Sequence, residues 1–320
     1  MTNRFNKPLP AAYGGPGWRP RAKTITAELG NIWGNCGQNS EYMPLKQVIL
    51  HRPGPEIISE SDPNKAQMLA PLDLARAQAQ HDAIAEAYRA NGVTVHYADP
   101  AGQPTPNQMF MADTMFMTHE GAIIARPASE VRAGEERVTA RRLAEIGTPI
   151  ARSIGGTATF EGADAMYYAP DKVIVGRGLR TNAAGVAQIT GTMEQMGVSV
   201  VQMDMPFGYG SMHLMGMLRI IDKDLAIGYP VRLAHSAKEI LEEAGHQVHF
   251  LPDPEEATRG FGFNFVTLGP RKILMAANNP VNQAFFESHD IECVTVEIDE
   301  LGKAAGAIGC LSGIVERELI

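Results

Sequence analysis

The chain has 320 residues, 44% hydrophobic and 20% charged, the make-up of a globular protein with a sizeable core in one large domain or two ordinary ones. A net charge of −8 offers no basic face to nucleic acid or anionic lipid and fits weak long-range attraction of a cationic ligand. Three widely spaced cysteines argue against a disulfide framework, no apolar run is long enough to span a membrane, and the polar N-terminal stretch lacks the apolar segment of a signal peptide, so a reducing, cytoplasmic setting is expected.

Residues 1–40, with Gly14-Gly15-Pro16-Gly17 and isolated Trp18 and Trp33, read as an irregular arm, and 41–320 as a single domain. Beyond the arm one short apolar segment ending in a turn recurs. It appears as Val48-Ile49-Leu50-His51-Arg52-Pro53, Ala122-Ile123-Ile124-Ala125-Arg126-Pro127 and Val173-Ile174-Val175-Gly176-Arg177-Gly178. It returns as Leu225-Ala226-Ile227-Gly228-Tyr229-Pro230 and Ile273-Leu274-Met275-Ala276-Ala277-Asn278. Each reads as a buried strand closed by Pro, Gly or Asn. A helical pattern follows each, over 74–90, 135–146, 183–196, 234–244 and 281–288, stops at Gly or Asp, and passes into a second strand near Val93, Thr148, Val198, His246 and Ile291. These units recur about every fifty residues and form an internal repeat whose closure into a ring makes one domain. The first unit carries an extra loop, 54–71, placed to act as a lid.

After the second strand each unit offers a polar residue at a comparable point: Asp113, Glu161 (with Asp164), His213, Asn264 and Cys310. If the units surround a pseudo-fivefold axis, these side chains converge. Cys310 lies in Ala307-Ile308-Gly309-Cys310-Leu311-Ser312-Gly313, read as a loop just past a strand, with small neighbours that let backbone or ligand approach the sulfur. A lone cysteine is ordinarily a small core hydrophobe. Beside a histidine it reads as a nucleophile whose proton traffic the imidazole handles. Buried carboxylates are costly unless a cation meets them, and a guanidinium, planar and forked, matches their oxygens while offering an electrophilic carbon to a thiolate. The constellation points to chemistry at a guanidino carbon.

From about Asn39 onward the sequence resembles the guanidino-modifying superfamily, which includes arginine deiminases, dimethylargininases and amidinotransferases. The stretches that carry the resemblance are Leu45-Lys46-Gln47-Val48-Ile49-Leu50-His51-Arg52-Pro53-Gly54, Asn107-Gln108-Met109-Phe110-Met111-Ala112-Asp113 and Phe160-Glu161-Gly162-Ala163-Asp164. They continue in Arg180-Thr181-Asn182, Met212-His213-Leu214 and Gly309-Cys310-Leu311-Ser312. Ile124 to Pro127 and Arg132-Ala133-Gly134-Glu135 look most like dimethylargininase. The resemblance implies a five-bladed pseudo-symmetric α/β propeller of the pentein type. It also implies a hydrolase that forms a covalent amidino adduct on Cys310, or, alternatively, an amidinotransferase that passes the group to an amine. By position, Cys310 would be the nucleophile and His213 the general acid, then base. Asp113 and Glu161 would hold the guanidinium, Glu161 also touching the imidazole. Arg180, Arg132 and Asn107 would meet a substrate carboxylate, and Asp164 would support the site or bind substrate.

Two departures stand out. Arginine deiminases and amidinotransferases carry an Asp two residues after the histidine, where Met215 stands here, and Gly309 precedes the cysteine where His, Arg or Ser is frequent. Both argue against free arginine as the preferred substrate within the expected class, arginine or an N-substituted arginine-like guanidine, with Met215 beside its terminal nitrogen. Methionines 109, 111, 115, 117, 212, 215 and 217 flank the expected site and read as packing. Gly176-Arg177-Gly178 lacks the third glycine of a dinucleotide fingerprint, and no HExxH or Cys-x-x-Cys occurs, so no cofactor or metal is expected. The partner implied is a small guanidino molecule, with no nucleic acid and no membrane; self-association into a homo-oligomer stays open.

Overall fold

Each recurring apolar run becomes the middle strand of a three-stranded sheet. The structure, a computed structural model, describes residues 9–207 and 212–320. Its strands in chain order are β1 (Leu45–Leu50) and β2 (Thr94–Tyr97), then β3 (Met115–Thr118), β4 (Gly121–Ile124) and β5 (Ile150–Ser153). There follow β6 (Ala165–Ala169), β7 (Lys172–Arg177) and β8 (Ser199–Asp204), and β9 (Leu218–Asp222), β10 (Leu225–Gly228) and β11 (Gln247–Phe250). The last are β12 (Val266–Gly269), β13 (Lys272–Ala276), β14 (Glu292–Val296) and β15 (Gly313–Arg317). The helices are α1 (Leu74–Ala90), α2 (Glu135–Glu145), α3 (Ala183–Gln195), α4 (His235–Glu243), α5 (Pro254–Thr258), α6 (Pro280–Glu287) and α7 (Ile308–Leu311).

The middle strands β1, β4, β7, β10 and β13 are nearly all apolar and buried because both faces and both edges are covered. Each is antiparallel to an inner strand and parallel to an outer one reached through a helix. The helix-to-strand turns repeat as well: Gly92, Gly147, Gly197, Gly245 and Asp290 all take positive φ, which lets the chain reverse after the helix. Side-chain caps fix three of the helix starts, Asp73 accepting from the Arg76 amide, Asn182 from that of Gly185 and Asp253 from those of Glu255 and Glu256. The result is a five-fold pseudo-symmetric α/β propeller. Its ring is closed by the C-terminal β15, which pairs with β1 to complete the first blade.

The sequence reading found the middle and outer strands and missed the inner ones, β3, β6, β9, β12 and β15. These are four or five residues long and follow directly on the polar site residues, so no separate alternation marks them. The expected loop at Cys310 is instead the short helix α7, and the cysteine precedes its strand, β15. Ahead of β1 the described part of the N-terminal stretch runs in short 3-10 turns and lies along β15, with the Gly37 amide on Val315 O and the Arg317 amide on Gly37 O. Cys36 is thereby buried among Ile49, Met111 and Val315. No helix of the described residues is long and apolar enough to cross a membrane.

Candidate active site

The inner strands all begin at one end of the ring. The turns Met111–Thr114, Gly162–Asp164 and Leu214–Gly216, which lead into β3, β6 and β9, pack on one another, and α7 packs on the first of them. Five sequence positions spread over some two hundred residues therefore meet in one place. A cavity of about 80 Å³ lies there, lined by Asp113, His213, Asn264 and Cys310. Asn107, Arg132, Arg180 and Met215 line it too, while Glu161 and Asp164 stand behind its wall. Of the flanking methionines, Met212 and Met215 reach the cavity, and Met109, Met111, Met115, Met117 and Met217 are core.

His213 is 5% exposed, and its Nε2 lies 2.7 Å from Glu161 Oε2 and 3.8 Å from Asp113 Oδ1. Burial opposes charge on this imidazole, but Asp113, Asp164 and the Glu161 hydrogen bond outweigh it and hold the ring protonated, with a pKa raised to about 9. Glu161 is fully buried, and burial by itself would neutralise it. The His213 contact and the charges of His213, Arg132 and Arg180 keep it ionised, well below the usual carboxylate range. Its Oε1 accepts from the Ala128 amide at 3.1 Å and from Arg180 Nη1 at 3.2 Å.

Arg132 is the surprise. The sequence reading turned it toward a substrate carboxylate, but it is 3% exposed with its guanidinium inside the acid cluster. Its Nη1 donates to Asp113 Oδ2 at 2.7 Å and Glu161 Oε2 at 3.4 Å, while Nε and Nη2 both reach Glu135 Oε2. Burial of the cation is more than offset by Glu135, Asp113 and Glu161, which raise its pKa further. Thus a guanidinium already sits where the acids would hold one. Asp113, Glu161 and His213 each offer a donor atom within 4.8 Å of the others, a spacing a metal ion would also accept, but the cation standing between the carboxylates is this arginine.

Cys310 is 8% exposed at the wall of the cavity. Burial and the Asp113 charge push its thiol up; the Asn264 hydrogen bond, the Ala307 backbone and the Arg219 charge pull it down, and the upward push wins. Asn264, which the sequence placed by repeat position alone, is its clamp. Asn264 Nδ2 donates to Cys310 Sγ at 2.9 Å, and its Oδ1 accepts from the Cys310 amide at 3.1 Å. Met215 Sδ stands 3.7 Å from the same sulfur, so this side chain lines the cavity while packing against the core behind it.

The other expected residues divide. Asp164 is fully buried outside the cavity, accepting from Thr181 Oγ1 at 2.6 Å and the Leu214 amide at 3.1 Å, so it fixes the backbone beside His213. Burial lifts its carboxyl to about 7 against the pull of the His213 charge. Asn107 donates to Ala66 O at 2.7 Å, which ties the inserted 54–71 loop over the cavity. The Leu69 and Ala70 amides anchor that loop's far end on Lys303 O. Arg180 is occupied by Glu161 and Met212 Sδ. Cys293 is half-buried in β14, remote from this cavity.

Known proteins share both the sequence and the shape. The arginine deiminase family model matches residues 100–249. An N(G),N(G)-dimethylarginine dimethylaminohydrolase from Streptomyces coelicolor is 29% identical over 274 residues, which cover 84% of this chain and 97% of that protein. The chain is similar in sequence and in fold to the guanidino-modifying superfamily. Two solved members share its fold. The dimethylargininase of Pseudomonas aeruginosa, a cysteine-to-serine variant complexed with citrulline, has a TM-score of 0.70 at 22% identity, covering 86% of this chain and all of that one. An amidinotransferase from Microseira wollei has a TM-score of 0.74 at 14% identity, covering 89% and 98%. The superfamily's dimethylargininases and arginine deiminases match this chain in sequence and support hydrolysis of a guanidino compound. The amidinotransferase likeness is one of fold, so transfer to an amine is not favoured.

Proposed function

We propose that this protein hydrolyses a C–N bond of an arginine-like guanidine, preferably N-substituted, through a covalent adduct on Cys310. The observation that carries this reading is the guanidinium of Arg132 caught between Asp113 and Glu161 in the cavity that Cys310 and His213 line. A substrate guanidinium takes over that place, and Arg132, released, turns with Arg180 and Asn107 toward the substrate's carboxylate. Asp113 Oδ1 has no hydrogen-bond donor among the described residues and stands ready to accept one from the substrate.

The substrate's charge offsets Asp113 and favours the Cys310 thiolate, which attacks the guanidino carbon. The tetrahedral adduct collapses with cleavage of the C–N bond, and the leaving amine takes the proton from His213. The neutral imidazole then removes a proton from water, whose oxygen adds to the amidino-thioether carbon. Collapse expels the thiolate and leaves a ureido product. A histidine charged at neutral pH suits the first proton transfer, and its bond to Glu161 aims the ring. Met215 packs against alkyl groups on the guanidine and gives a terminal N–H₂ no acceptor.

The test is product analysis with arginine, dimethylarginine and several guanidino acids, with and without an added amine. A ureido product with release of one amine per turnover is expected. A guanidino product formed only when the acceptor is present would make the protein a transferase instead. No turnover of any guanidine would end both readings.

A further inference from the structure

Behind the short helix α7 that carries Cys310 lies a second cavity, about 70 Å³, whose wall includes Gly309, Met215 and three charged side chains, Glu41, Arg219 and Arg317. We propose that Arg219, on β9, is a positioning residue that supports helix α7 and its Cys310 from behind and supplies the standing counter-charge of the Cys310 thiolate. This rests on the reading of Cys310 as the nucleophile.

The geometry carries it. Arg219 is 92% buried, the complement of its 8% exposure, and lies over the Phe265 ring with Cζ 5.1 Å from the centroid. Its Nε faces Phe263 O at 3.3 Å, one residue before the Asn264 that clamps the cysteine. A Cβ on Gly309 would come within 2.7 Å of Arg219 Nη2 and 2.6 Å of Asn264 Oδ1, so the guanidinium lies against the backbone next to the nucleophile. That contact explains the glycine noted in the sequence: the room a side chain would need before Cys310 is taken by Arg219 and Asn264.

Charge completes the case. Glu41 accepts from Gln38 Nε2 and the Tyr167 amide, and it can balance only one of the two buried arginines. Arg219 Nη2 finds no acceptor among the described residues. A buried cation with only a shared counter-charge is costly, and besides Glu41 an anion that can form within range of its charge is the thiolate of Cys310. Burial lowers Arg219 only to about 10, with Cys310 the foremost group holding it up, so it stays charged at neutral pH. From the front Cys310 faces Asp113, which opposes ionisation, with His213 and Arg132 in the same cavity. Arg219 therefore acts from the one side that substrate does not occupy. When the thiol ionises, its proton leaves through the cavity to solvent, and the charge left on sulfur is shared between Arg219 behind and substrate in front.

The readout is the pH dependence of Cys310 alkylation by iodoacetamide, followed by peptide mass spectrometry so that Cys36 and Cys293 do not contribute. It needs no substrate, so it stands apart from the success or failure of the hydrolase reading. Arg219→Met and Arg219→Gln are expected to move the midpoint up by about one pH unit and to slow alkylation at pH 7 roughly tenfold, while Arg219→Lys stays within about half a unit of the wild type. Folded neutral variants with an unmoved midpoint would overturn the proposal. If neither neutral variant folds, the lysine variant decides alone: a midpoint near the wild type supports the counter-charge, and a shift of about one unit or more refutes it.

Discussion

Replacing Arg132 by methionine separates a guanidinium cage from an ordinary buried ion pair. The substitution keeps an apolar stem of similar reach and removes the cation that Asp113, Glu135 and Glu161 share. All three carboxylates and Arg132 are 4% exposed or less, so solvent does not replace the lost charge. Removing one partner of such a cluster typically costs about 3–5 kcal/mol. Burial already raises Glu135, so this carboxyl can take a proton and bring the cost toward the lower end. For a chain of this size an unfolding entropy of about 2.1 cal/mol/K per residue turns that into a Tm lower by roughly 4–7 °C. Guanidinium chloride at non-denaturing millimolar concentration, or methylguanidine, is then expected to refill the cage. At ten times its Kd it would return about 1.4 kcal/mol, roughly 2 °C. Differential scanning fluorimetry of both proteins, with equal sodium chloride and tetramethylammonium chloride as controls, reads this directly. An unchanged Tm, or recovery by the control salts as large as by guanidinium, would refute the idea that the acids are shaped for a guanidinium.

Three further outcomes follow from the same geometry. With Met215 Sδ 3.7 Å from the nucleophile, Met215→Asp is expected to shift kcat/KM toward free arginine and away from dimethylarginine by roughly tenfold or more in their ratio, and equal ratios in a competition assay would contradict this. Cys310→Ser is expected to lose turnover yet keep substrate affinity by calorimetry, because the acids and arginines that bind are untouched; near-normal turnover would exclude the covalent route. His213 has a folded pKa of about 9 against an ordinary 6.5, so its contribution to stability is complete below 6.5 and fades as pH rises through 9. The wild-type Tm should therefore fall across that interval more than that of His213→Gln, with kcat/KM falling above about 9; parallel Tm curves would remove the charged imidazole from the account.

Periodicity in the chain determines the ring. Five apolar runs, five helices ended by Gly or Asp, and a polar residue at a repeating offset suffice to place Asp113, His213, Asn264 and Cys310 near one axis, because short-range pattern fixes each blade and repetition fixes how blades relate. The inner strands were invisible for the opposite reason: four- and five-residue segments gain their hydrogen bonds from a partner strand and carry too little pattern of their own. Side-chain direction was likewise beyond sequence. Nothing in the order of residues says that Arg132 turns inward to three carboxylates, that Asp164 spends its oxygens on Thr181 and Leu214, or that Arg219 lies under Gly309. Those outcomes depend on which buried charges end up within reach of each other, a balance of desolvation against pairing that is set only once the blades have closed.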